Sequence, residues 1–278
     1  MDASELRGQL ESIDTLPTIP SVLKGILKVI ENPRVSLNEI GSFVATDPVL
    51  TSRVLKVVNS PIYGFSGRIS SVSQALLLLG LNVVRGMLFG VSVFEIMEKS
   101  MVGLWGHSMG CAVTARIIAK KKGLEEPEEV SVAALLHDIG KVALSLKFPE
   151  EYEKILADAA ARNVFIFEAE DAHYGLTHAT AGAWIAQKWN FPKGLVEVIG
   201  YHHKPHLSKN LPVETAVVHL ADILIRARGF GFPGDNHIPP VHPEAWKILD
   251  LSEDDIREIL KEMDDSLMNS DDFLFQDE

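Results

Sequence analysis

Leu135-Leu136-His137-Asp138-Ile139-Gly140-Lys141-Val142 places two adjacent ionisable groups inside an apolar run. Burying such groups is costly unless something pairs with them. The surrounding pattern predicts a helix from about Pro127 to Leu146, with His137 and Asp138 in its middle. Neighbouring helix residues point about 100° apart, so both can reach one ion only if it lies between their directions. Gly140 removes a side chain where another backbone or a ligand can approach. Lys141, one turn after His137, is placed to neutralise a phosphate or to reach solvent, and solvent is the expectation for a lone lysine.

Working outward, helical periodicity dominates the 278 residues and no convincing run of alternating strands is found. Residues 2–14 predict a short helix. Ser21 caps a second, with Val22, Ile26, Leu27 and Ile30 on one face. Ser36-Leu37-Asn38-Glu39 has the spacing of a capping box, and Asp47-Pro48 supplies an N-cap followed by a proline at the first helical position. Ser71 opens a helix closed by Gly80, and Leu81–Met97 continue as a long apolar one. Roughly Met101–Lys122 follows, and then helices at about 149–162, 165–172, 176–189, 192–203 and 211–228. Gly229–Pro243 reads as a loop, and Asp250–Met263 as an amphipathic helix. The fold class is therefore all-α, a helical bundle. Three parts are expected: an N-terminal helical subdomain (1–100), a histidine-bearing helical subdomain (101–228), and a loop, helix and acidic tail (229–278).

Composition narrows the possibilities. With 46% hydrophobic and 23% charged residues, the chain sits among globular proteins. Its longest uninterrupted apolar stretches, such as Ala75–Leu79, are far short of a bilayer span, so no membrane association is expected. The first residues lack the basic start and apolar core of a signal peptide, and a single Cys111 gives no disulfide framework or thiolate cage. A cytoplasmic location is expected. The net charge of −12 is uneven: residues 251–278 carry eleven acids against Arg257 and Lys261, which leaves −3 for residues 1–250. Nucleic-acid binding needs a basic surface, so nucleic acid is an unlikely partner; the helices around Ser36–Val58 offer only Arg53 and Lys56. The tail is expected to be a solubilising end.

All ten histidines lie between His107 and His242. His107, His137-Asp138, His178, His202-His203 and Asp222 fall on successive helices, and a bundle can converge such side chains on one interior point. Imidazole and carboxylate donors without thiolate suit iron, manganese, zinc or nickel. His219 is either a hydrogen-bond donor supporting a ligand or a core residue. His173, His206, His237 and His242 are expected on the surface or in loops.

His107, His137-Asp138 and Asp222 resemble the H…HD…D signature of the HD superfamily of metal-dependent phosphohydrolases. Leu16-Pro17-Thr18-Ile19-Pro20, Asp47-Pro48-Val49-Leu50-Thr51, Val58-Asn59-Ser60-Pro61-Ile62-Tyr63-Gly64 and Leu79-Gly80-Leu81-Asn82-Val83-Val84-Arg85 resemble the HDOD domain, an HD-related output module of bacterial signalling proteins. The resemblance covers about residues 10–225. It implies an all-α fold with an HD-like second half and one or two divalent transition-metal ions (Fe, Mn, Zn or Ni). By similarity, His107, His137, Asp138 and Asp222 would hold one ion. His178, His202 and His203 would hold a second, with Asp138 bridging. Lys204-Pro205-His206-Leu207 follows His203 where cyclic-di-GMP phosphodiesterases carry their GYP segment, so that activity is not assigned.

The resemblance implies two alternative functions. One is an HDOD-type regulatory module acting through a signalling protein partner, with the metal site retained. The other is a metal-dependent phosphohydrolase acting on a nucleotide or other phosphoester, with Asp138 and Lys141 as catalytic residues.

Overall fold

The computed structural model describes residues 3–11, 36–60, 63 and 68–268. The helix expected at Ser21, the Leu16–Pro20 motif and the acidic residues after Met268 lie outside the described residues. Among the described residues every regular element is helical, as the periodicity implied.

The N-terminal part is built by local caps. Helix α1 covers Ala3–Glu11, α2 Leu37–Val44 and α3 Pro48–Val58. Ser36 Oγ accepts from the Glu39 backbone N–H at 3.2 Å while Glu39 returns a carboxylate to the Ser36 N–H at 2.8 Å, which completes the capping box. Asp47 accepts from the Leu50 N–H at 3.0 Å and starts α3. Asn59 then closes α3 and ties it to the next segment. Its amide donates to the Leu55 and Ile69 carbonyls, and its carbonyl accepts from the Ile69 N–H at 2.7 Å.

Helix α4 (Val72–Ser100) is two helices joined at Gly80, whose φ of 80° and ψ of 167° only glycine adopts readily. By composition Val72–Val91 is long and apolar enough to cross a membrane, contrary to the expectation drawn from uninterrupted runs alone. More than half of that window is buried inside the fold, so its apolarity serves the core.

Helix α5 (Leu104–Lys121) forms the central rod: every residue from Leu104 to Ala119 is buried. A helix hydrophobic all round belongs in the middle of a bundle. Helix α6 (Pro127–Leu136) packs along it, and α7 (Ile139–Lys147), α8 (Pro149–Arg162) and α9 (Ile166–Tyr174) follow. The single helix expected over Pro127–Leu146 is thus broken at His137-Asp138. The break lets α7 turn against α10 (His178–Lys188). A Cβ on Gly140 would lie 1.9 Å from the His178 carbonyl oxygen, so only glycine permits that approach.

Helix α11 (Lys193–Tyr201), a 3₁₀ turn at Pro205–Leu207 and α12 (Pro212–Arg228) complete the bundle around α5. The segment read as a loop up to Pro243 ends in an unanticipated helix, α13 (Pro243–Leu249), capped by the His242 side chain. The amphipathic helix α14 (Glu253–Met268) lies against α5 through Ile259, Met263 and Leu267. Lys121 pairs there with Asp255 at 2.9 Å and with Glu258, and Arg228 with Asp264 at 2.8 Å. One buried apolar cluster runs from Leu6 to Leu267.

Candidate metal centre

The seven residues singled out as metal donors meet in the interior. His107 comes from the first turn of α5, His137-Asp138 from the α6–α7 break, and His178 from the start of α10. His202 and His203 follow α11, and Asp222 lies inside α12. Their exposures are 0% for His107, Asp138, His178 and His202, and 1% for His137 and Asp222; His203 alone is half-buried.

Asp138 stands between two clusters of nitrogen donors. Its Oδ2 lies 3.3 Å from His137 Nε2 and 3.6 Å from His107 Nε2, and its Oδ1 lies 3.2 Å from His178 Nε2 and 4.0 Å from His202 Nε2. On the first side Asp222 Oδ1 is 3.2 Å from His107 Nε2. On the second, His178 Nε2 and His203 Nε2 are 3.0 Å apart. The ligand atoms of His178, His202 and His203 lie within 4.8 Å of one another, as do those of His107, His137, Asp222 and, contrary to the thiolate-free set expected, Cys111.

Hydrogen bonds at the outer ring nitrogens fix how the imidazoles face. His137 Nδ1 donates to the Ala134 carbonyl at 2.6 Å, His202 Nδ1 to the Ile199 carbonyl at 2.7 Å, and His178 Nδ1 to Glu170 Oε2 at 2.6 Å. A nitrogen that donates outward leaves the Nε2 lone pair aimed inward, the arrangement that prepares histidines for metals. His202 Nε2 and Asp138 Oδ1 are buried with no hydrogen-bond partner. These two buried acceptors, 4.0 Å apart, are atoms that a divalent ion would satisfy, and the mainly nitrogen and oxygen donor set, with the Cys111 sulfur beside it, fits a transition metal.

The electrostatics agree. Burial alone raises a carboxyl, yet the neighbouring His137 ring, the Lys141 ammonium and the His178 ring hold Asp138 well below the usual carboxylate range. Against the same burial, Arg226 and His107 hold Asp222 well below it. Burial pushes His107 down to about 4 and depresses His202 and His203 strongly, which keeps these imidazoles neutral and available as donors. His178 is the exception: burial is the largest influence and lowers it, but the Glu170 and Asp138 carboxylates together raise it.

Several residues that shape the centre were not read from the sequence. Glu170 on α9 accepts from both the backbone N–H and Nδ1 of His178, and its other oxygen accepts from Tyr152 Oη at 2.7 Å. Arg226 donates from Nε to Asp222 at 2.8 Å and from Nη1 to Asp235, which itself accepts from the Ile166 N–H. The four-residue spacing of Asp222 and Arg226 was a visible signal; nothing local marks Glu170 or Asp235. Cys111, one turn after His107, brings its buried Sγ within 3.5 Å of His107 Nε2. Lys141 corrects an expectation: it is fully buried, with Nζ 2.6 Å from Asp138 Oδ2, because the α6–α7 break turns it inward. His219 donates from Nδ1 to the His202 carbonyl at 2.8 Å, so it supports a donor segment through the backbone. Of the four histidines expected at the surface, His173 and His206 are exposed, while His237 and His242 are half-buried. The His242 N–H donates to His219 Nε2.

The HDOD domain model matches residues 16–205. The chain belongs to the HDOD domain family. An HDOD domain protein of unknown function from Geobacter sulfurreducens superposes with a TM-score of 0.71 at 28% identity, covering 95% of this chain and 96% of that one. An uncharacterised protein of Treponema pallidum (strain Nichols) is 29% identical over 221 residues, which are 78% of this chain. A Ribonuclease Y of Mycoplasmoides gallisepticum (strain R) is 32% identical over 135 residues, 48% of this chain. The HDOD chain spans 43% of the Treponema relative's length and 20% of the ribonuclease's.

Proposed function

We propose that this HDOD chain is a cytoplasmic signal-transduction module that retains an HD-type metal centre and acts through a protein partner. His107, His137, Asp138 and Asp222 hold one divalent ion, and His178, His202 and His203 hold a second, with Asp138 between them. The observation that carries this reading is the sealing of the centre: six of the seven donors are at most 1% exposed. An enclosed donor set suits holding an ion as a folding clamp. A module of this kind then presents its outer helical surface to a partner.

Elemental analysis of the chain purified without chelator tests the metal, with one or two equivalents of a transition metal expected. A screen of phosphomonoesters, phosphodiesters and cyclic nucleotides with the metal-loaded chain tests the module, with no turnover expected.

A second reading, phosphoester hydrolysis, draws on Lys141, a buried cation beside the central carboxylate. A divalent ion bound there supplies Lewis acidity toward a phosphoryl oxygen. In that reading Asp138 and Lys141 are the catalytic residues, and Lys141 offsets developing phosphate charge. Turnover that disappears in both His137→Ala and Asp138→Ala would establish it in place of the first.

A further inference from the structure

Away from the centre, α6, α11 and the start of α12 enclose a cleft of about 510 Å³. Its floor is apolar, formed by Ala133, Leu195, Val198 and Leu211 among others. Its rim carries four carboxylates, Glu125, Glu126, Glu129 and Glu214, and none of the described lining residues is a lysine or arginine. Glu129 and Glu214 sit in the first turns of α6 and α12, where helix dipoles favour acids. Glu126 stands at the N-cap of α6 and Glu125 just before it, at the edge of the same field. There the like charge of Glu129 raises the Glu126 carboxyl, so the rim holds acids against their mutual repulsion. Asn82 donates to Glu129 at 3.0 Å, which satisfies an oxygen and leaves the charge.

Resting on the signalling reading above, we propose that this cleft is the docking surface for a basic amphipathic segment of a partner protein, and that its occupancy is coupled to the metal centre. An apolar floor inside an acidic rim complements a helix with one leucine-rich face flanked by lysines or arginines. The coupling follows from the helices themselves. Ala133 lies one turn before His137 on α6, and Val198 one turn before His202 on α11. A guest between α6 and α11 therefore bears on two helices whose ends carry donors to both halves of the centre. Coupling between two sites is reciprocal: an ion that sets the spacing of α6 and α11 changes affinity in the cleft, and the guest changes affinity for the ion.

The test uses the full chain and a fluorescent helix of leucine and lysine about four turns long, followed by anisotropy. Glu126→Lys with Glu129→Lys is expected to weaken binding about tenfold or more, with the helical circular dichroism retained and the thermal midpoint lowered only by the lost Asn82 bond and first-turn charge. Reversing two exposed charges on α8, which does not line the cleft, Glu150→Lys with Glu153→Lys, is expected to change it by less than about twofold. Leu195→Glu adds an acid but spoils the floor: docking predicts weaker binding, whereas attraction by net charge predicts tighter. Equal losses from the rim and α8 variants, tighter binding to Leu195→Glu, or no binding by the parent would overturn the docking site. Adding zinc to the chelated chain is expected to shift peptide affinity by about fivefold or more, the lower range of allosteric couplings. Peptide affinity that ignores bound zinc would overturn the coupling. A chain that binds the peptide but takes up no metal removes the metal reading and the coupling, and leaves the docking surface standing.

Discussion

His178 and Glu170, on separate helices and both fully buried, share a hydrogen bond of 2.6 Å between Nδ1 and Oε2. The same carboxylate oxygen accepts from the His178 backbone N–H at 2.8 Å, so Glu170 fixes both the ring and the helix that carries it. A carboxylate behind a metal-facing histidine sets the tautomer and the ring orientation.

Glu170→Gln keeps the shape but removes the charge. Unfolding in denaturant is expected to show a loss of about 2 kcal/mol, the range for hydrogen bonds to charged groups. Metal affinity of the His178–His202–His203 half is expected to fall about 10- to 100-fold, read by titration of the second equivalent. An unchanged second equivalent would remove Glu170 from any role in metal binding.

Lys141→Met leaves Asp138 buried without its cation. The metal-free chain is expected to lose about 3–5 kcal/mol, the cost of breaking a buried pair. A divalent ion replaces the missing positive charge, so the loss is expected to shrink when the chain is metal-loaded. Denaturant midpoints with and without chelator measure both numbers; an equal loss in both states contradicts a metal beside Asp138.

Gly140→Ala drives a methyl into the His178 carbonyl, 1.9 Å from the ideal Cβ position. Backbone cannot rotate aside as a side chain does. A loss of about 3 kcal/mol, the upper end for overpacking, is expected in thermal or denaturant unfolding. The helical circular dichroism of the folded state is expected to persist.

Glu197 gathers the Ser208 hydroxyl and the Lys209 and Asn210 N–H groups on one oxygen, and the Asn210 amide on the other. Partial burial works against ionisation, but these donors outweigh it and pull the carboxyl down to about 2. A depressed pKa contributes stability above the unfolded carboxylate value of about 4.3, and that contribution is lost as pH falls toward 2. The stability gap between the parent and Glu197→Gln is therefore expected to be widest at neutral pH and to close between about pH 4 and 2. A gap that does not narrow in that window would contradict the donor arrangement.

The elements legible in the sequence are those governed by short-range rules. Ser36 with Glu39 and Asp47 with Pro48 act within a single turn, and their caps form as the spacing requires. The break between α6 and α7 was not legible, because Pro127–Leu146 keeps helical periodicity across it. What interrupts the helix is the demand that Gly140 meet the His178 backbone, a contact 38 residues away in the chain.

The donor set divides the same way. Histidines and aspartates in an apolar setting, spread over successive helices, marked His107, His137, Asp138, His178, His202, His203 and Asp222 by type alone. Sequence by itself determined the helical class, the caps and the chemistry of those seven side chains, because periodicity and residue type are written locally. Only the tertiary structure decided that Asp138 stands between two clusters, that Lys141 turns inward, and that Glu170 and Arg226 sit behind the donors. It also decided that four glutamates ring one apolar cleft. Burial and charge pairing are properties of the space between helices, and no single helix carries them.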